Sequence, residues 1–324
     1  MAKGFWKECK KPIMALAPMA DVTDPAFRAV IARYGKPDVM WTEFVSADGL
    51  VRAPEEGRRK LLADLQYKEE ERPIVAQFFT SNPDHMEQVA RLAVELGFDG
   101  IDINMGCPDR SIEKQGAGAG HIKDPDRAVA VIEAAQRGAG DTPVSVKTRL
   151  GYNKDELEEW LPRLLETNIS ALTLHVRTRK EMSKVPARWE RVGRAVELRD
   201  KLAQETLILG NGDVVDIADA RQKVAESGAD GAMLGRAIFG NPWLFSNVGR
   251  PTSNISLKER LEVMVEHTKL FEEMLPHKNF AIMKKHYKAY VSGFEGASDL
   301  RVRLMEAENA ATVEEIVSDF LSNA

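Results

Sequence analysis

Cysteine is scarce in this chain of 324 residues, which contains only Cys9 and Cys107. Two widely separated cysteines exclude a disulfide framework and any C-x-x-C metal site. Thiols without disulfide partners are typical of a reducing compartment. We therefore expect a cytoplasmic protein that binds no metal.

Long apolar runs and an excess of one charge are also missing. No stretch approaches the ~18 apolar residues that a membrane span needs. The run after the N-terminal lysines is broken by Pro18, which predicts a strand instead of a targeting peptide. The 45 basic and 50 acidic residues leave a net charge of −5, which still allows a local basic face. The composition is that of an ordinary soluble enzyme, which we expect to act as a monomer away from membranes.

Short apolar runs alternate with helix patterns along most of the chain. The runs cover residues 13–18, 39–44, 74–79, 100–105, 144–150, 171–176, 207–212 and 231–238. After the third run, Asn82 can cap a helix that Pro83 opens and Gly97 ends. Eight such units predict an α/β fold, the (β/α)8 TIM barrel. The alternative is a doubly wound sheet, but the turn APMADVTDP after the first run lacks the glycines expected there for a dinucleotide.

The pattern changes after the eighth unit. Ser256 and Glu259 form a capping box that opens a helix, a second helix pattern covers 279–294, and a third begins at Thr312. We predict a catalytic TIM-barrel domain over residues 1–245, a linker over 246–255, and a small helical bundle domain over 256–324.

Candidate site residues lie at the predicted C-terminal ends of the strands, where TIM barrels place their functional groups. These residues are Pro18, Met19, Gln77, Asn104, Cys107, Lys147, Arg149, His175, Asn211, Gly212, Asp213, Gly235 and Arg236. Backbone N–H groups and an arginine after strands 7 and 8 favour a phosphate site, although each glycine alone could be a bare turn.

Three of these side chains, Gln77, Lys147 and His175, would point to one barrel mouth. Donors in this position suit a flat heteroaromatic cofactor that gains negative charge on reduction. Since the chain lacks a second G-x-G site for an adenine half, the pattern indicates flavin mononucleotide (FMN).

Cys107 lies between Gly106 and Pro108, upstream of the glycine-rich GAGAG. A small buried apolar role is the simpler interpretation, but proline and glycine favour an irregular exposed loop. A free thiol has a pKa near ~8.5 and is mostly protonated at neutral pH. This favours Cys107 as a proton donor.

Several motifs together resemble the tRNA-dihydrouridine synthase family. They are APMADVTDPAFR, DINMGCPDRSIEKQGAGAG, VKTRLG, LHVRTR, LGNGDV and LGRAIFGNPWLF, in order from about residue 13 to 300. The resemblance implies an FMN-binding barrel whose C-terminal helical domain holds tRNA. The implied flavin contacts are Pro18, Met19, Gln77, Lys147, His175, Asn211, Gly212, Asp213, Gly235 and Arg236. The implied contacts to uracil or RNA are Asn104, Arg149, Arg177, Arg179, Lys284 and Lys285.

The resemblance also implies a reaction. NADPH or NADH reduces FMN, FMN passes a hydride to uracil C6, and Cys107 protonates C5 of a base that has been pulled from its stack. The chain departs from the family pattern at residues 180–189, which contain no tyrosine or glycine, and at Lys284, where arginine is usual.

Two basic segments add support for RNA binding. Residues 177–191 and 277–303 each contain six Lys or Arg against two acids, which favours a track for a phosphate backbone, although one such cluster alone is usually a solvated face. Two other hypotheses stay open. An FMN oxidoreductase for a small pyrimidine or enone would not need residues 256–324, and an RNA-binding protein without catalysis would not need Cys107, Lys147 and His175.

Overall fold

Eight parallel β-strands form the centre of the molecule. The computed structural model describes residues 4–202, 205–246 and 254–323. The strands are β1 (Ile13–Leu16), β2 (Met40–Ser46), β3 (Ile74–Phe79), β4 (Gly100–Met105), β5 (Val144–Arg149), β6 (Ala171–His175), β7 (Leu207–Asn211) and β8 (Gly231–Leu234). Each predicted apolar run overlaps one strand, so the predicted strand order is confirmed.

The strands close into a barrel. Their order in the sheet is β1-β8-β7-β6-β5-β4-β3-β2, with all pairs parallel. A parallel bridge between Ala15 and Val39 joins β1 to the chain just before β2, and Leu16 N donates to Val39 O at 3.2 Å. This closure confirms the TIM barrel and rules out the doubly wound sheet.

Helices follow the strands and cover the outside of the barrel. They are α1 (Pro25–Gly35), α2 (Ala47–Arg52), α3 (Glu55–Asp64), α4 (Pro83–Glu95), α5 (Arg110–Lys114), α6 (Pro125–Ala139), α7 (Leu157–Leu165), α8 (Glu190–Lys201) and α9 (Ile217–Ser227). In α4, Asn82 Oδ1 accepts from the N–H groups of Asp84 and His85, and Gly97 follows with a φ of 79°. The predicted cap and stop are therefore confirmed.

The barrel interior is apolar away from the C-terminal ends of the strands and polar near these ends, where the mouth lies. Inward residues of alternate strand positions form one buried cluster, which includes Ile13, Trp41, Val75, Leu209 and Met233. Residues that point the other way pack against the helices in a second, larger cluster. Because strand side chains alternate between the two faces, each strand contributes to both cores.

In the described part of the chain after the barrel, the α-helices are α10 (Leu257–Met274), α11 (Met283–Tyr290), α12 (Ala297–Glu306) and α13 (Ala310–Asn323). Ser256 Oγ accepts from Glu259 N at 3.1 Å, which confirms the predicted start of α10. The sequence patterns missed α12. The last helix begins at Ala310 instead of Thr312, because Asn309 Oδ1 caps it by accepting from Thr312 N. Most of the predicted linker, residues 247–253, lies outside the described residues.

The C-terminal helices pack against the barrel through a buried contact. Phe27 of α1 stacks on His267 of α10 with ring centroids 4.7 Å apart. Lys278 Nζ reaches Glu43 Oε2 on β2 at 2.9 Å and Asp64 Oδ1 at 2.8 Å. Breaking a buried ion pair of this kind leaves an uncompensated charge. None of the helices in the described segments has the length and apolar character needed to cross a bilayer.

Asp24 at the start of α1 predicts a pH-dependent stability. Its Oδ1 accepts from Phe27 N at 2.9 Å, and burial, followed by the nearby Glu43, raises its pKa to about 7. A raised carboxyl pKa stabilises the fold at low pH, and this stability is lost as the pH rises toward 7. We expect the unfolding free energy of Asp24→Asn, relative to the parent protein, to improve by roughly 4 kcal/mol between about pH 4 and pH 8.

Urea unfolding across this pH range measures the difference. Asp216→Asn is the matched control, because Asp216 caps α9 in the same way by accepting from Asp219 N but lies exposed. A difference for Asp24→Asn that stays constant with pH would show that Asp24 is ionised throughout.

Candidate active site

A cavity of about 690 Å³ opens at the C-terminal ends of the strands. It brings together thirteen of the residues predicted for the site, from strands that are far apart in sequence. They are Pro18, Met19, Asn104, Cys107, Lys147, Arg149, His175, Arg177, Asn211, Gly212, Asp213, Gly235 and Arg236. The cavity therefore coincides with the predicted barrel mouth.

Four predicted residues do not line the cavity. Gln77 is fully buried beneath it, where its Oε1 accepts from Asn104 Nδ2 at 3.0 Å. Arg179 forms a bidentate pair with Glu113. Lys284 and Lys285 lie half-exposed on α11. Phe44 also lines the cavity. It is the last residue of the second apolar run, and its apolar side chain does not mark this strand end as part of the site.

The Cys107 loop is held tightly at its backbone. Cys107 N donates to Asn104 Oδ1 at 2.9 Å, and Ala119 N donates to Cys107 O at 2.9 Å. Gly118 has a φ of 58°, and a Cβ there would lie 2.8 Å from Cys107 O. The glycines of GAGAG therefore allow the downstream chain to wrap around Cys107.

The Cys107 thiol lines the cavity and stays protonated at neutral pH. Burial raises its pKa, and this outweighs the hydrogen bond from the Asp109 backbone, which lowers it. The sequence pattern favoured an exposed loop here, whereas Cys107 is partly buried. A protonated thiol at a cavity wall can donate a proton and is a poor nucleophile.

Lys147 places a positive charge in the cavity, beside the arginines that also line it. Burial, followed by the charge of Arg149, lowers its pKa to about 8. Its Nζ donates to Asn211 Oδ1 at 3.3 Å. An ammonium has three donors, so Lys147 is charged near pH 7 and retains donors for a ligand.

His175 is a neutral donor beside Lys147. Burial lowers its pKa well below the usual value, and the charges of Arg149 and Lys147 act in the same direction. Its Nε2 lies 3.3 Å from a terminal nitrogen of Arg177. Because a guanidinium only donates, Nε2 accepts and the proton of His175 resides on Nδ1.

The ends of β7 and β8 form an arginine-rich corner. Asp213 pairs with Arg177, and it accepts from Arg236 at 2.6 Å. The bond from Arg177 lowers the pKa of Asp213 more than burial raises it. Arg236 keeps 66% of its side chain exposed, so this guanidinium can also reach an anion in the cavity.

Arg149 and Arg177 are structural tethers as well as cavity residues. Arg149 Nε donates to Gly106 O at 2.7 Å, and its Nη1 donates to Met182 O at 3.0 Å. Arg177 Nε donates to Val185 O at 2.6 Å. These bonds connect the Cys107 loop and the β7 corner to Met182 and Val185. Both residues lie within 180–189, the segment that departs from the family pattern.

Comparison with known proteins identifies the family. A family model described as Dihydrouridine synthase (Dus) matches residues 15–324. The chain belongs to the dihydrouridine synthase family. The probable tRNA-dihydrouridine synthase of Staphylococcus aureus strain COL is 39% identical over 323 residues, which cover 99% of this chain and 96% of that protein. The probable tRNA-dihydrouridine synthase 2 of Bacillus subtilis strain 168 is 40% identical over 326 residues, which cover 99% and 97%.

Membership of the dihydrouridine synthase family confirms the resemblance drawn from the motifs. Among solved structures, morphinone reductase is similar with a TM-score of 0.52 at 13% identity, covering 72% of this chain and 84% of that chain. This likeness concerns the barrel fold alone. Within the described residues, no group of three or more His, Cys, Asp or Glu could hold a metal ion.

Proposed function

We propose that the protein reduces specific uridines of tRNA to 5,6-dihydrouridine, with FMN as the bound cofactor and NADPH or NADH as the reductant. The observation that carries this proposal is the protonated Cys107 thiol in one cavity with Lys147 and His175, in a chain of the dihydrouridine synthase family. The two free thiols fit a reducing cytoplasm.

The cavity residues fit FMN. A Cβ on Gly235 would meet only Met19 Sδ at 3.5 Å and Ala17 Cβ at 3.6 Å, so this glycine keeps the cavity open instead of filling a packing gap. Gly212 has a φ of 128°, which favours glycine. With Asn211 and Arg236, these glycines would hold the phosphate, and Lys147 and His175 would face the polar edge of the flavin ring.

The residues of this chain divide the chemistry between them. Reduced FMN, when bound, supplies a hydride. Lys147 places a positive charge where negative charge accumulates on a reduced cofactor. His175 offers its Nδ1 proton without adding charge. Cys107 donates its proton to C5 of the uracil, and its raised pKa keeps the thiol protonated at neutral pH before the transfer.

Ion pairs made by the two basic segments reduce the number of basic side chains that remain available to bind RNA. In residues 177–191, all four arginines pair with acids: Arg177 with Asp213, Arg179 with Glu113, Arg188 with Glu181 and Arg191 with Asp155. Lys278 is also paired and nearly buried. Among the described residues, Lys284 and Lys285 form no ion pair and are only half-buried, so they are better placed to meet a phosphate backbone.

Helix α11, which carries Lys284 and Lys285, packs against the segment that follows β8. A Cβ on Gly240 would lie 2.5 Å from Ala289 O of α11, and Phe239 stacks on His286 of α11 at 5.9 Å. The segment 236–240 therefore links the predicted phosphate corner directly to this helix. RNA held by α11 would lie close to the mouth.

Charge reversal on α11 tests the RNA surface. We expect Lys284→Glu combined with Lys285→Glu to weaken tRNA binding by about 10- to 100-fold and to reduce its salt dependence. The readout is the Kd for tRNA at several salt concentrations, with FMN reduction by NADPH as the check on the barrel. The matched control is Lys7→Glu with Lys10→Glu, since both lysines are exposed near the start of β1, at the end of the barrel opposite the mouth. Equal weakening by both pairs would indicate an effect of net charge alone.

The first experiment is anaerobic. The purified protein is examined for a flavin spectrum, reduced, and mixed with unmodified tRNA while re-oxidation of the flavin is followed. Re-oxidation by tRNA, and not by free uridine or orotate, supports the proposal. Re-oxidation only by the small molecules would indicate an FMN oxidoreductase for a small substrate. Binding of tRNA without any flavin, even after reconstitution, would indicate an RNA-binding protein.

A further inference from the structure

Three buried polar side chains lie side by side on adjacent strands below the cavity. Gln77 on β3, Asp102 on β4 and Ser145 on β5 are neighbours in register, and all three are at most 3% exposed. Their surroundings inside the barrel are largely apolar. Since a buried carboxylate destabilises the fold unless it is well hydrogen-bonded, the side chain of Asp102 requires hydrogen-bond donors around it.

Hydrogen bonds connect Asp102 to the Cys107 loop. Gln77 Nε2 donates to Asp102 Oδ2 at 2.6 Å, and Asn104 Nδ2 donates to Gln77 Oε1 at 3.0 Å. Asn104 Oδ1 then accepts from Gly106 N at 3.1 Å and from Cys107 N at 2.9 Å. We call Asp102, Gln77 and Asn104 the amide relay.

The amide relay has a fixed donor-to-acceptor direction because Asp102, as a carboxylate, can only accept hydrogen bonds. Burial raises the pKa of Asp102 and the hydrogen bonds from Ser145 and Gln77 partly offset this, which leaves the pKa at about 6. The carboxylate is therefore the predominant form at neutral pH. A carboxylate turns the Gln77 amide so that its NH2 faces Asp102 and its oxygen faces Asn104. Asn104 must then present its NH2 to Gln77 and its oxygen to the Cys107 loop.

We propose that Asp102 is a positioning residue for Cys107, acting through the orientation of the Gln77 and Asn104 amides. This role rests on the proposed function, since it serves the proton donor of that reaction. The other contacts of the loop, from Arg149 to Gly106 O and from Ala119 to Cys107 O, engage carbonyl oxygens. Among the described residues, the relay provides the side-chain contact to the N–H groups of Gly106 and Cys107.

Three substitutions test whether Asp102 acts through its hydrogen bond to Gln77 or only fills space in the barrel. Asp102→Leu removes the acceptor, so Gln77 Nε2 is left buried without a partner or turns around. Asp102→Asn keeps an acceptor oxygen for Gln77, because its NH2 can donate to Ser145 Oγ while that hydroxyl donates to Ile101 O, which lies 3.3 Å away. Ser145→Ala is the matched control, since it disturbs the same carboxylate on the side that does not lead to Cys107.

Two measurements are made on each variant. The first is the rate of uridine reduction in a single turnover, with pre-reduced flavoprotein and saturating tRNA. The second is the rate of Cys107 alkylation by iodoacetamide across pH, in a Cys9→Ser background where Cys107 is the only thiol. Alkylation requires neither flavin nor RNA, and it reports the burial and pKa of the thiol.

We expect Asp102→Leu to slow the single turnover by about 10²-fold, the cost of a donor displaced by about 1 Å. We also expect it to speed alkylation at neutral pH by about fivefold, because a loosened loop exposes the thiol and lets its pKa fall. Asp102→Asn and Ser145→Ala should stay within about threefold of the parent protein in both measurements. If Asp102→Leu does not fold, Asp102→Ala removes the acceptor without adding bulk and is held to the same expectation.

Two results would overturn the proposal. One is a parent-like turnover and alkylation profile when the acceptor is removed. The other is an Asp102→Asn variant as impaired as Asp102→Leu, since the charge and not the acceptor would then matter. Failure of the proposed function is distinguishable, because it would abolish uridine reduction in the parent protein while the alkylation series still tests the relay.

Discussion

Replacing Cys107 with alanine is expected to slow uridine reduction by ~10²–10⁴-fold, the range for a lost general acid, while FMN stays bound. The thiol lines the cavity and stays protonated, because burial raises its pKa. Its backbone contacts, to Asn104 Oδ1 and Ala119 N, do not involve the side chain, so the loop should keep its conformation in the variant.

The measurement is a single turnover with pre-reduced flavoprotein, which separates uracil reduction from the earlier reduction of the flavin. Cys9→Ala is the matched control, since Cys9 is a partly buried thiol remote from the cavity whose Sγ lies 3.6 Å from Phe5 O. Flavin reduction by NADPH should be unchanged in both variants. A Cys107→Ala protein that reduces uridine at the parental rate would remove Cys107 from the acid role.

Replacing Lys147 with methionine is expected to slow flavin reduction by NADPH by ~10²–10³-fold, the usual cost of removing one preorganised donor to a developing negative charge. Methionine keeps a similar length without the charge. The neighbouring residues cannot replace it, because His175 is neutral and Arg149 is bound to backbone carbonyl groups.

The pH dependence of the same rate provides a second readout. The pKa of Lys147 is lowered to about 8, so the charged form predominates below that pH and is lost as the pH rises through it. The parent rate should therefore decline above about pH 8, whereas Lys147→Met should lack this limb. Lys123→Met is the control. Lys123 Nζ lies 4.6 Å from the centroid of the Tyr152 ring, and Lys123 does not line the cavity. A parental rate in Lys147→Met would exclude the proposed charge stabilisation.

The paired arginines illustrate where the sequence patterns and the tertiary contacts diverge. A run such as RTRKEMSKVPARWER shows that arginines are present, but an ion pair depends on residues distant in the chain. Arg179 meets Glu113 from the loop after β4, and Arg177 meets Asp213 from the loop after β7. The roles of both arginines in RNA binding stay predictions, and these pairs make lysines the stronger candidates.

The sequence alone determined the eight strands, their alternation with helices, and the set of polar residues at the strand ends. These features depend on local apolar periodicity, on caps such as Asn82 and on the two-residue alternation along each strand, which are all written in short segments. The motif around Cys107 also determined the family, because family motifs are read from consecutive residues.

Only the tertiary structure decided what each polar side chain contacts. It buried Gln77 below the cavity, added Phe44 to the wall, and linked Asp102 to Cys107 through two amides. It also set the protonation of Cys107, Lys147 and His175, whose pKa values are shifted mainly by burial. Burial and hydrogen-bond partners arise when distant strands close into a barrel, so no local pattern in the sequence specifies them.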